Sequence, residues 1–441
     1  MARVPLALVA IIVVGGLATP AIAQTVAPVL QTPAAQGGPP LTLDDAIKRA
    51  LAGHPRLRAA RDLADAAHAT TIEARSPLFP TITGALTGVT ALENSRIAAG
   101  GLNNPIIFDR YSNGVAVGQL VTDFGRTGDF INSASLHADA RNRDVTEQAA
   151  EVRLGVTAAF FGLLRAQAVL RVADAAVQTR QAVVDQVQEL ARNQLKSQLD
   201  VSLVSVDLGR AQLLQTEARN EVAVRRADLD DAMGLDQPEA YTLVDPATGQ
   251  PTAPPTLAPL LTAALAARPD LQSLRLDHDA AQKFADGQGR LSLPTVQFGA
   301  AAGLTPWHQS TLTDRYAAAG VNVAIPIFNG RLFSAQHAEA QARADGQAEL
   351  VRDAEHRASH DIEVAWAEAA GAFDRLDLTA RIVAEASQAQ SLAQSRYDLG
   401  LSSVVELSQA QLAATEAQIA DVSARYEYET ALARLRFELG Q

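Results

Sequence analysis

His356 and His360 stand one helical turn apart, with Asp353 and Glu363 beside them. Two imidazoles at i and i+4 with carboxylates nearby can hold a metal ion. The same four residues also make a polar helix face, and that is the reading adopted for them. Asp277-His278-Asp279 is likewise read as a solvated patch, and Gly287-Gln288-Gly289 is too short to be a phosphate-binding loop. The chain contains no G-x-S-x-G elbow, P-loop or H-E-x-x-H helix. Its 441 residues include no cysteine. That excludes disulfides, thiolate metal sites, cysteine nucleophiles and lipid attachment at an N-terminal cysteine. No catalytic constellation emerges, so neither enzymatic activity nor a cofactor or metal is expected.

With no reaction to position, the elements themselves carry the information. Charged residues make up 20% and the net charge is −12, which argues against nucleic acid as a partner because phosphate binding needs a basic face. Aromatics are only 5%, which favours closely packed helices over a core of large rings. Residues 1–23 read as a secretory signal: Arg3 is the positive start, Leu6 to Leu17 the apolar stretch, and Ala21-Ile22-Ala23 the cleavage site. That apolar stretch is short of the ~20 residues that span a bilayer. Residues 24–40 read as a flexible tail, and order begins at Leu41-Thr42-Leu43-Asp44-Asp45, where Thr42 or Asp44 can cap a helix. Beyond the leader no run approaches 18 apolar residues, so any membrane insertion must use β-strands.

An internal duplication organises the rest. Leu43, Ala50-Leu51, Pro55, Leu57 and Pro80-Thr81 recur at a constant offset as Leu257, Ala264-Leu265, Pro269, Leu271 and Pro294-Thr295. Gly114-Val115-Ala116-Val117 recurs as Gly320-Val321-Asn322-Val323, Gly125-Arg126 as Gly330-Arg331, and Met233-Gly234 as Leu439-Gly440. Repeat 1 therefore covers 41–234 and repeat 2 covers 257–440, joined by the linker 235–256. Each repeat reads as a helix of about 30 residues, two strands and a long helical pair. The strands are expected near 78–90 and 111–123, then 294–304 and 315–327. The helical pairs are expected over 127–232, with a tip near 195–201, and over 331–439, with a tip near 399–405. In the strands Val296, Phe298, Ala300, Ala302 and Leu304 share a face, as do Ala317, Ala319, Val321 and Val323. Val152, Val156, Ala159, Leu163, Ala166, Leu170 and Ala173 keep a 3-4 rhythm, the mark of coiled-coil packing.

Four strands cannot sit open in lipid, where edge N–H and C=O groups would be unpaired, and small closed barrels need about eight. Several chains must share one barrel, and their long helices must surround the same axis. The fold expected is a transmembrane β-barrel continuing into an all-α tunnel.

The strand-to-helix passages Val121-Thr122-Asp123-Phe124-Gly125-Arg126 and Pro326-Ile327-Phe328-Asn329-Gly330-Arg331 resemble the hallmark of the TolC family of outer-membrane factors. So do Leu41 to Ala46 with His54-Pro55, and Arg396 to Leu407. The resemblance spans both repeats. It implies a homotrimer whose three sets of four strands make 12, held in outer-membrane lipid above a periplasmic tunnel. It also implies docking onto an inner-membrane pump or ABC transporter through a periplasmic adaptor, or membrane fusion, protein. The outer component of type I protein secretion is the second reading, and a periplasmic coiled-coil adaptor a distant third. Gly125, Arg126, Gly330 and Arg331 mark bends where strand becomes helix, the alternative being ordinary helix starts. By position, the resemblance makes Asp200 and Tyr397 partners of a closing hydrogen bond and Glu406 part of an acidic ring. The chain departs from the family at Gln409, where a second aspartate is usual, and at Ser402, where an arginine helps lock the gate. The alternative is that all five are solvated turn residues.

Overall fold

A computed structural model describes residues 38–92, 95–96, 106–246 and 251–441. The expected leader and nearly all of the expected tail lie outside the described residues. The end of the tail segment is ordered, however: strand β1 (Pro40–Leu41) pairs in parallel with β4 (Thr242–Leu243) from the linker, and Leu41 is buried. A two-residue strand leaves no periodic trace in sequence, which is why neither segment reads as one.

The expected opening helix of each repeat is two helices. α1 (Leu43–Gly53) and α2 (Pro55–Arg75) are separated at His54, and α5 (Leu257–Ala267) and α6 (Pro269–Gly289) at Arg268. His54 and Arg268 are extended (ψ 127° and 123°), because the ring of a following proline excludes the helical conformation. Each proline then starts the next helix, where its missing N–H costs nothing. Thr42 caps α1 by accepting from Asp45 N at 3.2 Å.

The long pairs are α3 (Arg126–Arg192) with α4 (Gln198–Ala232) and α7 (Leu332–Asp398) with α8 (Val404–Glu438). α3 and α7 have 67 residues each, about 100 Å at ~1.5 Å per residue. Their partners have only 35, so α4 and α8 cover half of each long helix. The remaining half packs against α2 and α6. The pieces stack end to end: a Cβ on Gly234, just past α4, would lie 3.2 Å from His54 Cα at the head of α2. Gly440, past α8, stands in the same relation to Ala267 and Arg268 at the head of α6.

The 3-4 stripe of α3 is the seam. Val152, Val156, Phe160, Leu163, Leu164 and Ala168 form a core with Leu229 and Met233 of α4's end and with Ala46 and Ala50 of α1. Each large side chain so buried contributes about 1.5–3 kcal/mol. Ile362, Ala365 and Ala369 form the matching core with Leu435. α3 contains a window long and apolar enough to cross a membrane, but half of it is buried against these neighbours. The polar interruption at Gln215 is paired: its Nε2 donates to Asp174 Oδ1 at 2.7 Å.

The four remaining strands are β2 (Thr81–Val89), β3 (Arg110–Thr122), β5 (Thr295–His308) and β6 (Arg315–Ala324), in one antiparallel sheet of order β2-β3-β5-β6. The repeats thus meet along β3 and β5. β2 and β5 begin later than the flanking residues suggest, because 76–78 and 290–292 are 3-10 turns and a proline follows each. β6 stops at Ala324 instead of 327, since Pro326 cannot donate to a ladder. β5 runs on to His308, past the expected 304, with a bulge opposite Tyr111/Asn113.

Candidate channel wall and gate

The sheet has two unlike faces. Register rows Ile82-Val117-Ala300-Ala319 and Gly84-Val115-Ala302-Ala317, with Phe298-Val321 beyond them, make one face apolar. The rows Thr81-Gly118-Gly299-Gly320, Thr83-Ala116-Ala301-Ala318 and Ala85-Gly114-Gly303-Tyr316 make the other small and mildly polar. Apolar-out, small-and-polar-in is the arrangement of a membrane barrel around an aqueous lumen. Tyr111 and Trp307 are cross-strand partners at the loop end of the apolar face, and both are exposed. Phe79, Phe124, Ile327 and Phe328 are exposed at the helix end. Aromatic girdles of this kind belong at the two membrane interfaces.

At the helix end the chain turns from strand to helix through left-handed residues. These are Phe124 (φ 55°) and Gly125 (93°) in repeat 1, and Gly330 (63°) and Arg331 (69°) in repeat 2. Glycine adopts this region freely, whereas Phe124 and Arg331 are held there against a local cost. Asp123 secures the first bend. Its carboxylate accepts from Thr127 N at 2.8 Å and lies 3.5 Å from Arg126 Nε. Arg290, from repeat 2, donates to Phe124 O at 3.0 Å and pairs with Asp129, tying the two repeats together beneath the sheet.

At the far end the two helix–helix turns are built alike. Leu195 N donates to Leu190 O, and Leu401 N to Arg396 O, each at 2.8 Å. The residues before them, Gln194 (φ 60°) and Gly400 (74°), are left-handed. This is the Schellman turn. Ser197 and Ser403 then cap the returning helices by accepting from Asp200 N (3.1 Å) and Glu406 N (3.2 Å). Asp200 completes a capping box by accepting from Ser197 N at 3.0 Å and from Ser197 Oγ at 2.8 Å. Those bonds hold its carboxyl below the usual range. Glu406 occupies the same position in α8, and its Oε1 lies 3.4 Å from Arg396 Nε.

Tyr397 is 4% exposed, in a cluster with Val184, Val187, Val404 and Leu407, and Lys196 Nζ sits 4.9 Å above its ring. Its hydroxyl has no hydrogen-bond partner. Burial, and then the charges of Asp200 and Asp398, push the phenol up. No hydrogen bond joins Asp200 and Tyr397 in this conformation, and the capping box uses only one oxygen of the Asp200 carboxylate. Ser402 Oγ is also buried without a partner. Gln409 lines a groove of about 500 Å³ between α4 and α8. The spacing Ser197-x-x-Asp200, repeated as Ser403-x-x-Glu406, is the sequence signal for the capping role.

The histidine and acidic candidates separate. Asp353 pairs with Arg357, and among the described residues no cluster of three or more metal-ligating side chains forms. Asp277 is not a solvated residue: it takes His137 Nδ1 at 2.8 Å and pairs with Arg141, joining α6 to α3. Gly287 is a packing residue, since a Cβ there would meet the Phe130 ring at 2.6 Å. A polar node that sequence periodicity does not reveal lies where the repeats abut. Arg268 donates to Glu438 at 2.6 Å and to Asp270 at 2.8 Å. Nearby Glu147 is pushed up to about 7 by burial and by Asp270, Glu151 and Asp144.

The sequence matches the family described as outer membrane efflux protein over residues 46–235 and 260–441. No individually curated protein matches it. Among solved structures, the outer membrane protein VceC of Vibrio cholerae is 19% identical, with a TM-score of 0.76 over 90% of this chain and 96% of that one. The open MtrE outer membrane channel of Neisseria gonorrhoeae is 20% identical (TM-score 0.77, over 90% and 88%). The CmeC outer membrane channel of Campylobacter jejuni is 16% identical (0.77, over 90% and 85%). At these identities the likeness is one of fold. With both repeats matched to the family and a sheet shaped for lipid above paired long helices, the chain belongs to the outer membrane efflux protein family: it is an outer-membrane channel with a helical periplasmic extension, not an enzyme.

Proposed function

We propose that three copies of this chain close one barrel and one tunnel, a passive conduit for small molecules delivered by an inner-membrane pump through a periplasmic adaptor. One observation carries the reading: β2 and β6 each have an edge without a ladder partner among the described strands, on a sheet whose one face is apolar. Lipid tolerates no such edge, so β6 of one chain must meet β2 of the next. Leu195, Leu199, Leu399 and Leu401 are exposed at the tip, which supports docking of a partner there. Asp200, Tyr397, Ser402, Glu406 and Gln409 form the gate at that end. The small-residue wall also suits an unfolded polypeptide, which makes the outer component of type I protein secretion the second reading. The inner-membrane partner that co-purifies separates the two.

Because the chain lacks cysteine, the edges are open to clean cross-linking. Thr83→Cys together with Ala318→Cys places one thiol in each edge strand, both on the lumen face. A flexible bis-maleimide should convert the protein into a closed covalent ring of three chains. Chains that remain monomeric, or link only within themselves, contradict the proposal.

A further inference from the structure

We infer that Gly114 and Gly303 let the ring of Tyr316 lie flat against the wall near the barrel's outer mouth, and so keep it out of the passage. Tyr316 is the second residue of β6, at the end of the sheet far from the helices. It shares the lumen face with threonine, alanine and glycine, and is the one large ring in the three central rows of that face. Gly303 lies opposite it on β5, and Gly114 lies opposite Gly303 on β3. A Cβ on Gly114 would stand 2.1 Å from Tyr316 Oη and 2.8 Å from Ala302 O, and one on Gly303 would stand 2.1 Å from Asn113 O and 2.6 Å from Tyr316 Cζ. The ring therefore crosses two strands in the space that two side chains would otherwise fill. Tyr316 is 40% exposed, as expected of a ring with one face on the wall and one open.

Glycine weakens a strand interior, so its presence in these two strands marks a close approach that a side chain would block. An aromatic ring laid over a cross-strand glycine restores the lost packing. The consequence lies in the pore. A phenol turned inward from every chain would narrow a passage whose three central rows are otherwise lined by small residues, and pore width is a direct determinant of what a channel passes. Glycine at 114 keeps the ring down and the mouth wide.

The inference rests on the closed-barrel reading, and the experiment keeps the two apart, since any conducting channel already shows closure. Neutral polymers of graded size are added from the outer side of channels in planar bilayers, and the largest that still enters is read from the current. Gly114→Ala should lose admission of the larger polymers, because the new methyl displaces the ring. Gly320→Ala adds the same methyl to the same face with nothing within 4 Å, and should leave admission unchanged. Gly114→Ala combined with Tyr316→Ala should regain it, because the contact that remains, 2.8 Å to Ala302 O, lies within the wall and puts no ring in the passage. Tyr316→Ala alone should change admission little, because the ring already lies on the wall. The inference is overturned if Gly114→Ala admits the same polymers as wild type, or if the double variant stays narrow. Should Gly114→Ala fail to assemble, Tyr316→Ala decides: a marked widening means that the ring projects into the lumen, and refutes the inference.

Discussion

Replacing Tyr397 by phenylalanine removes one oxygen, and its effect on the gate can be worked from the structure. In the conformation described, the hydroxyl is buried and unbonded while Asp200 is engaged by Ser197. A buried polar group left unsatisfied costs about 1–3 kcal/mol, so Tyr397→Phe relieves that cost here. In a locked tip, where the hydroxyl would donate to Asp200, the same change removes a bond worth about 1 kcal/mol. Both effects favour the unlocked tip, by at least about 2 kcal/mol per chain, or roughly 30-fold in the ratio of the two states. Tyr397→Phe should therefore raise single-channel conductance in planar bilayers without lowering thermal stability. Asp200→Ala is a less clean probe, because it also dismantles the cap of α4 at a cost of about 1 kcal/mol. Adding it to Tyr397→Phe should raise conductance further. If Tyr397→Phe conducts like wild type, its hydroxyl is not part of the lock.

Other consequences concern charge. Arg396 partly neutralises Glu406, so Arg396→Gln should increase the cation preference of the channel and Glu406→Gln should decrease it, both read as reversal potentials in a salt gradient. Neither should alter assembly, because exposed pairs contribute about 0–1 kcal/mol. Glu147, pushed up to about 7 from an ordinary value of 4.5, binds its proton more tightly folded than unfolded. Its stabilising contribution is complete below pH 4.5 and lost as pH rises through 7. Glu147→Gln should therefore be more stable than wild type at pH 8, by about 1–2 kcal/mol after solvent screening of a partly buried group, with the difference vanishing below pH 5. Arg268→Ala leaves the Glu438 carboxylate, whose side chain is 10% exposed, without its partner. The variant should lose about 3 kcal/mol in denaturant unfolding and loosen the junction of α6 with α8.

Repetition made the architecture legible: two offset copies of a glycine-arginine passage, two heptad seams and two helix ends locate the elements before any coordinate is known. The 3-4 stripe from Val152 to Ala173 became a buried seam because periodicity encodes the buried face directly. The breaks at His54 and Arg268 were harder to read, since the helical pattern runs through them and only the following proline reports the extended residue. The gate was the least legible. Asp200 and Tyr397 both stand beside the helix–helix turns, but whether their side chains bond depends on relative placement that no spacing encodes, and here the Tyr397 hydroxyl is buried without a partner. The burial of Tyr397, the pairing of Glu406 with Arg396 and the perturbation of Glu147 arise from contacts between distant elements. No window of sequence contains them.

The central claim is that one chain is a fraction of a pore. The mass of the detergent-extracted protein, with bound detergent subtracted, tests this most directly when the same particles are then inserted into planar bilayers. The account predicts three chains per particle and a conducting channel. A stable, lipid-inserted monomer that conducts would contradict it, because four strands with two open edges could then close a pore alone.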